Sequence, residues 1–158
     1  MKRLFLYLTV FCFLAVPVRA QTPEEFNADL DVTEEPICFM LINEAPYSAH
    51  GRVTTAEYMR ADGIITRHRS NFRLDAAGTI SEESGYPTDR AEFCSYGPFM
   101  PNRSLEVAIR TLFPIFACQS RVDQGDLIIR GYRKPEGGAK TWIECFNADG
   151  SKTSEPAE

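Results

Sequence analysis

Short stretches in which apolar and polar residues alternate, separated by turn-forming clusters, run through most of this chain. The densest apolar run past the first twenty residues is Pro36-Ile37-Cys38-Phe39-Met40-Leu41-Ile42-Asn43. It is too brief for a free-standing helix and, rich in Ile, Phe and Leu between Pro36 and the Asn43–Tyr47 turn cluster, reads as a buried first core strand. His50 to Met59 is strand-prone through its Val, Thr and Tyr content. Ala61-Asp62-Gly63 then supplies an Asp-Gly turn of the kind that joins antiparallel strands. From Ile64 the alternation is at its clearest. Ile64, Thr66, His68, Ser70, Phe72 and Leu74 fall on one face, and Ile65, Arg67, Arg69, Asn71 and Arg73 on the other.

Residues 75–90 are rich in Gly, Ser, Asp and Pro and read as a long surface loop of a length often used for binding. A short strand at 91–95 and the turn-rich segment 96–103 follow; there the expected role of Phe99 and Met100 is to plug the fold, with exposure to a partner as the rival. Ser104 to Cys118 alternates again, with Leu105, Val107, Ile109, Thr111 and Phe113 opposed to Glu106, Ala108, Arg110 and Leu112. Leu105, Ile109 and Leu112 also fit a helical stripe, and Glu106 and Arg110 stand four apart. Pro114 followed by the β-favouring Ile115 and Phe116 decides for one long strand, with the proline at an edge or bulge. Strands at 127–133 and 140–146, joined by a turn at 134–138, complete the pattern. About seven short strands and no long helix predict a single antiparallel all-β domain over 36–147, a β-sandwich or small barrel.

The start of the chain changes the charge picture. Lys2 and Arg3, an uncharged apolar stretch from Leu4 to Val16, and Ala20 before the polar Gln21 have the form of a secretory signal peptide spanning 1–20. Its removal from the 158 residues would leave 138, and would take three of the 17 basic residues, moving the net charge from -5 to -8. A product so acidic makes nucleic acid a poor partner. The signal segment implies a secreted or periplasmic protein with no membrane span after cleavage. Residues 21–35, which hold Glu24, Glu25, Asp29, Asp31, Glu34 and Glu35, read as an acidic, flexible leader, and 148–158 as a disordered tail.

Four cysteines remain beyond the signal: Cys38, Cys94, Cys118 and Cys145. An even set without close pairs or neighbouring histidines predicts two disulfides rather than a metal site. If the last three strands form an up-down-up meander, Cys118 and Cys145 lie two strand spacings apart, about 9.5 Å, beyond disulfide reach. That argument disfavours Cys118 with Cys145; of the remaining pairings, Cys38 with Cys145 and Cys94 with Cys118 is favoured because it ties the first core strand to the last, and the crossed pairing is the alternative.

Catalytic patterns are sparse. The histidines are His50 and His68, without metal-binding spacing, and no nucleophile elbow, phosphate loop or dinucleotide fingerprint occurs. His68 is expected to be partly buried beside Phe72 and Leu74, and His50 to be a loop residue. The residues expected to bind are Arg67, Arg69 and Arg73, widened by Arg52 and Arg60. Their guanidinium forks suit an anionic ligand, an acidic protein or lipid head groups. The opposing expectation is that Glu57, Glu92 or the acidic leader neutralises them. The sequence thus implies a non-enzymatic, disulfide-stabilised exported binding module without cofactor. Its alternatives are a small hydrolase or lyase built on His68 with a carboxylate and an arginine, or an inhibitor or immunity-like protein acting through the loop at 75–90 or 96–103.

Overall fold

The computed structural model describes residues 21–110, 115–133 and 141–153. The expected signal segment, Pro114 and the turn at 134–138 lie outside the described residues. The fold is an all-β sandwich. One sheet has the order β10-β9-β1-β6, built from β1 (Ile37–Asn43), β6 (Arg90–Ser95), β9 (Leu127–Arg133) and β10 (Thr141–Asn147). The other has the order β5-β2-β7-β8, built from β2 (Ala49–Thr54), β5 (Arg69–Leu74), β7 (Ser104–Arg110) and β8 (Ile115–Arg121). A small hairpin of β3 (Tyr58–Met59) and β4 (Ile65–Thr66) closes through the expected Asp-Gly turn, where Gly63 takes φ 79°.

Inward-facing residues of the two sheets meet in one core. Phe39 and Leu41 of β1, Leu127 and Ile129 of β9 and Ile143 of β10 pack with Val53, Phe72, Leu74, Leu105, Val107 and Ile109 of the opposite sheet. Phe99 is buried among them, as a plug. Strand β1 is central to its sheet, paired antiparallel with β6 and parallel with β9, which explains why the densest apolar run is there: both its edges and its inner face are covered. The acidic segment 21–35 contains α1 (Pro23–Asn27), whose Thr22 and Glu25 form a reciprocal capping box. The Asn27 side chain binds both the N–H and the C=O of Met59, and Asp31 bridges to Phe99. In the C-terminal segment, the N–H of Thr153 donates to the Cys145 carbonyl.

Three expectations are corrected. Ser104 to Cys118 is not one strand but the two arms of a hairpin, with Leu105 opposite Ser120 and Arg110 opposite Ile115. A period of two persists on both sides of a reversal, so alternation does not show where a chain turns back.

The second correction follows from the first. Strand β8 belongs with β7, and the 3-10 turn Val122–Gln124 carries the chain to the other sheet, where β9 joins β1. No meander exists, and β8 faces β10 across the sandwich. Cys118 and Cys145, the disfavoured pair, are therefore the inter-sheet disulfide, with Cα atoms 6.2 Å apart. Cys38 and Cys94 stand directly opposite on β1 and β6 and form the other, at 4.0 Å. The preferred Cys38–Cys145 and Cys94–Cys118 bridges are absent.

The third concerns His68. The alternation holds for the buried Phe72 and Leu74, but β5 begins only at Arg69, because residues 67–68 cross from the small hairpin to the sheet. There the backbone of His68 is held by the backbone and side chain of Thr55. Its ring is exposed and stacks on Tyr58, centroids 4.6 Å apart, instead of lying under Phe72 and Leu74.

Candidate functional site

The outer face of the β5-β2-β7-β8 sheet gathers the basic residues. Side chains directly opposite on adjacent antiparallel strands point to the same face, and β2 pairs with β5 on one side and β7 on the other. Arg73, His50 and Arg110 consequently form one row across three strands. Arg52 lies in the next row, between Asn71 and Ala108, and Arg69 in the third, beside Thr54. With strands about 4.8 Å apart, Arg73 and Arg110 rise from backbone positions roughly 10 Å apart with the imidazole between them. His50, Arg52, Arg69, Asn71, Arg73 and Arg110 are all exposed.

A shallow depression of about 330 Å³ opens here, lined by His50, Gly51, Arg52, Asn71 and Arg110. Gly51, opposite Phe72 and Ile109 in the ladder, faces the core side of the sheet. A Cβ there would run into the Ala108 carbonyl and come within 2.8 Å of the Phe72 ring.

Partners separate these arginines from the others. Arg60 pairs with Asp62, Arg90 with Asp89, Arg103 with Asp31, Arg121 with Asp123 and Arg130 with Glu44. Arg67, the first of the expected stripe, is held by Glu57 at 3.0 Å and reaches Glu106 at 3.8 Å. Among the described residues Arg52, Arg69, Arg73 and Arg110 make no ion pair. The expected stripe is thus divided: Arg67 and Arg60 are neutralised by carboxylates, whereas Arg69 and Arg73 join Arg52. Arg110 and His50 were missed. Arg110 was placed in one long strand with no neighbour named for it, and His50, expected in a loop, lies in β2, paired with both β5 and β7. The signal that finds both is the register of β2 against its two neighbours, which a single sequence does not display.

Guanidinium groups in this arrangement can hold a carboxylate, phosphate or sulfate through paired N–H donors, with the Asn71 amide and the His50 ring adding donors at the side. His68 occupies a different place, a second depression of about 320 Å³ shared with Leu30, Val32, Tyr58, Tyr96 and Pro98. Among the described residues no carboxylate pairs with His68. A third grouping lies on the other sheet, where the sulfurs of Cys38 and Cys94 and a carboxylate oxygen of Glu92 lie within 4.8 Å of one another. Among the described residues no helix is long and apolar enough to cross a membrane. No family model, curated protein or solved structure matches the chain.

Proposed function

We propose that the protein is an exported, non-enzymatic binding module of the cell envelope or periplasm that takes an anionic group on the outer face of the β5-β2-β7-β8 sheet. The observation that carries this reading is the distribution of arginine partners. In an acidic chain, the arginines without an ion pair among the residues whose side chains are described, Arg52, Arg69, Arg73 and Arg110, stand together on a single sheet face beside a shallow depression. Like charges set side by side on a sheet are unfavourable, so a site of this kind gains from a ligand that neutralises them. The ligand's shared chemistry is an oxyanion, as offered by an acidic protein or a lipid head group.

The test is a titration with inorganic phosphate and sulfate, and then with anionic vesicles and an acidic polypeptide, followed by amide NMR shifts. The expected result is perturbation at His50, Arg52 and Arg110. Changing Arg52, Arg73 and Arg110 together to Gln is expected to weaken binding at least tenfold, at about 0.5–1 kcal/mol per exposed charge. The same change at the ion-paired Arg103 and Arg121 is expected to leave it unaltered. Equal behaviour of the two variants would refute the site. Vesicles and polypeptide then distinguish the two sources of the anion.

A loop-borne inhibitor is favoured by a different observation. Residues 79–88 form a hydrogen-bonded turn with an Ile80–Pro87 bridge, and present Ile80 and Tyr86 at 61% and 74% exposure. Replacing both with Ser distinguishes the readings, because it removes this surface and leaves the arginine face intact.

A further inference from the structure

The two disulfides occupy opposite environments. Cys118 and Cys145 lie in the core at 6% and 2% exposure. Cys38 and Cys94 are exposed on the outer face of the other sheet, where β6 is an edge strand. We propose that the exposed pair is a thiol-gated metal site: once a dithiol reduces it, the Cys38 and Cys94 thiolates and the Glu92 carboxylate hold a thiophilic divalent cation such as Zn2+.

Three observations converge on this. Cys38 is opposite Cys94 and Met40 is opposite Glu92 in the β1–β6 ladder, so Glu92 lies two residues from Cys94 on the same face. Its carboxylate oxygen is within 4.8 Å of both sulfurs, and among the described residues Glu92 has no ion pair or side-chain hydrogen bond. The backbone that presents these groups does not depend on the exposed bridge. Six register pairs join β1 to β6, Phe39 and Phe93 stack beneath them at 5.9 Å, and the inter-sheet bridge remains.

Opening proceeds by exchange. A thiolate of the dithiol attacks one sulfur of the pair and displaces the other as a thiolate. The second thiol of the reductant then resolves the mixed disulfide and leaves as a cyclic disulfide, so two electrons and two protons pass to Cys38 and Cys94. Rotation about their Cα–Cβ bonds lets the freed sulfurs spread around one ion, to which each binds at about 2.3 Å. Binding releases the two thiol protons. Two thiolates and one carboxylate match the borderline character of Zn2+ and leave a fourth tetrahedral position for water. In the oxidised state the sulfurs are bonded to each other and the site is closed.

The experiment treats the folded protein with dithiothreitol under mild, anaerobic conditions and removes the reductant. Alkylation mapping then identifies the opened bridge. Zn2+ is titrated against a chromophoric chelator, and Cd2+ is used for its thiolate-to-metal absorption in the ultraviolet. Labelling of Cys38 and Cys94 with Cys118 and Cys145 protected, one ion bound per chain, and the absorption band are expected only after reduction. Cys94→Ser is expected to abolish the band, and Glu92→Gln to weaken Zn2+ binding at least tenfold with the fold unchanged. Binding by the unreduced protein, an unchanged affinity in Glu92→Gln, no band after reduction, or loss of the near-ultraviolet circular dichroism when the exposed bridge opens would each overturn the proposal.

Discussion

Asn43 ends the apolar run of β1 and is fully buried. Its amide donates to the Tyr47 and Asp75 carbonyls at 2.8 and 2.7 Å, and its Oδ1 accepts from the Ala45 N–H at 3.1 Å. One side chain therefore fastens the β1–β2 connection to the start of the 75–90 segment. Asn43→Ala would take this partner from one buried and two partly buried backbone groups, and with penalties of about 1–3 kcal/mol for a buried group, relieved by water at the two carbonyls, a loss on the order of 3 kcal/mol is expected in urea unfolding. Asp89, buried nearby, accepts a hydrogen bond from Arg90 at 2.9 Å and another from the Gly78 N–H. The Arg90 bond, aided by Gly78, holds its pKa below the ordinary 3.8 in spite of the opposing effect of burial. A carboxyl depressed on folding stabilises the protein above its unfolded value, and that contribution fades as pH falls through the folded one. Stability measured below about pH 4 is therefore expected to decline less steeply in Asp89→Asn than in the parent, whereas coincident slopes would show that Asp89 has no part in acid unfolding. Neither residue was legible in the sequence as a buried polar anchor. Asn and Asp beside turns read as surface residues, and only the converging strands show that these two lie inside.

Single elements were legible wherever one face is buried and the other wet. Alternation located β1, the buried Phe72 and Leu74 of β5, and the inner row Leu105, Val107 and Ile109 of β7. It did not reveal which strand lies beside which, and the arginine face is a property of neighbours: Arg73 and Arg110 are 37 positions apart in sequence and meet only because β2 lies between β5 and β7. The same geometry sets a conflict between stability and binding. Arg110 is a diagonal neighbour of Arg52, not directly opposite it, so their repulsion falls at the low end of roughly 0.2–1 kcal/mol, and Arg110→Gln is expected to raise the unfolding free energy slightly in low salt while weakening phosphate binding. The gain should vanish at high salt as screening removes the repulsion. A destabilised Arg110→Gln would mean that this guanidinium is structural. Gly51→Ala acts in the opposite sense, since overpacking against Ala108 and Phe72 is expected to cost about 1–3 kcal/mol in thermal or urea unfolding.

At the scale of the whole molecule, the number of disulfides and the all-β class could be read from four spaced cysteines and short strands, but the choice of sandwich over barrel and the cysteine pairing could not. The pairing depended on whether β8 and β9 are neighbours in one sheet or strands of facing sheets, a choice made by the short turn Val122–Gln124. The two bridges then constrain different things. Cys38–Cys94 ties two strands already paired along their length, whereas Cys118–Cys145 joins the sheets through the core. Chain entropy alone ranks the first as more stabilising, since it closes 56 residues against 27, or about 4.2 against 3.5 kcal/mol. Packing reverses the order. Removing both buried sulfurs leaves a void between sheets that the surrounding side chains fill only in part, adding about 1–3 kcal/mol, while the exposed pair leaves its space to water. The Cys118→Ala, Cys145→Ala protein is therefore expected to unfold at lower urea concentration than the Cys38→Ala, Cys94→Ala protein, with both below the parent. If the exposed-pair variant proves the weaker, loop closure in the unfolded chain outweighs the packing between the sheets.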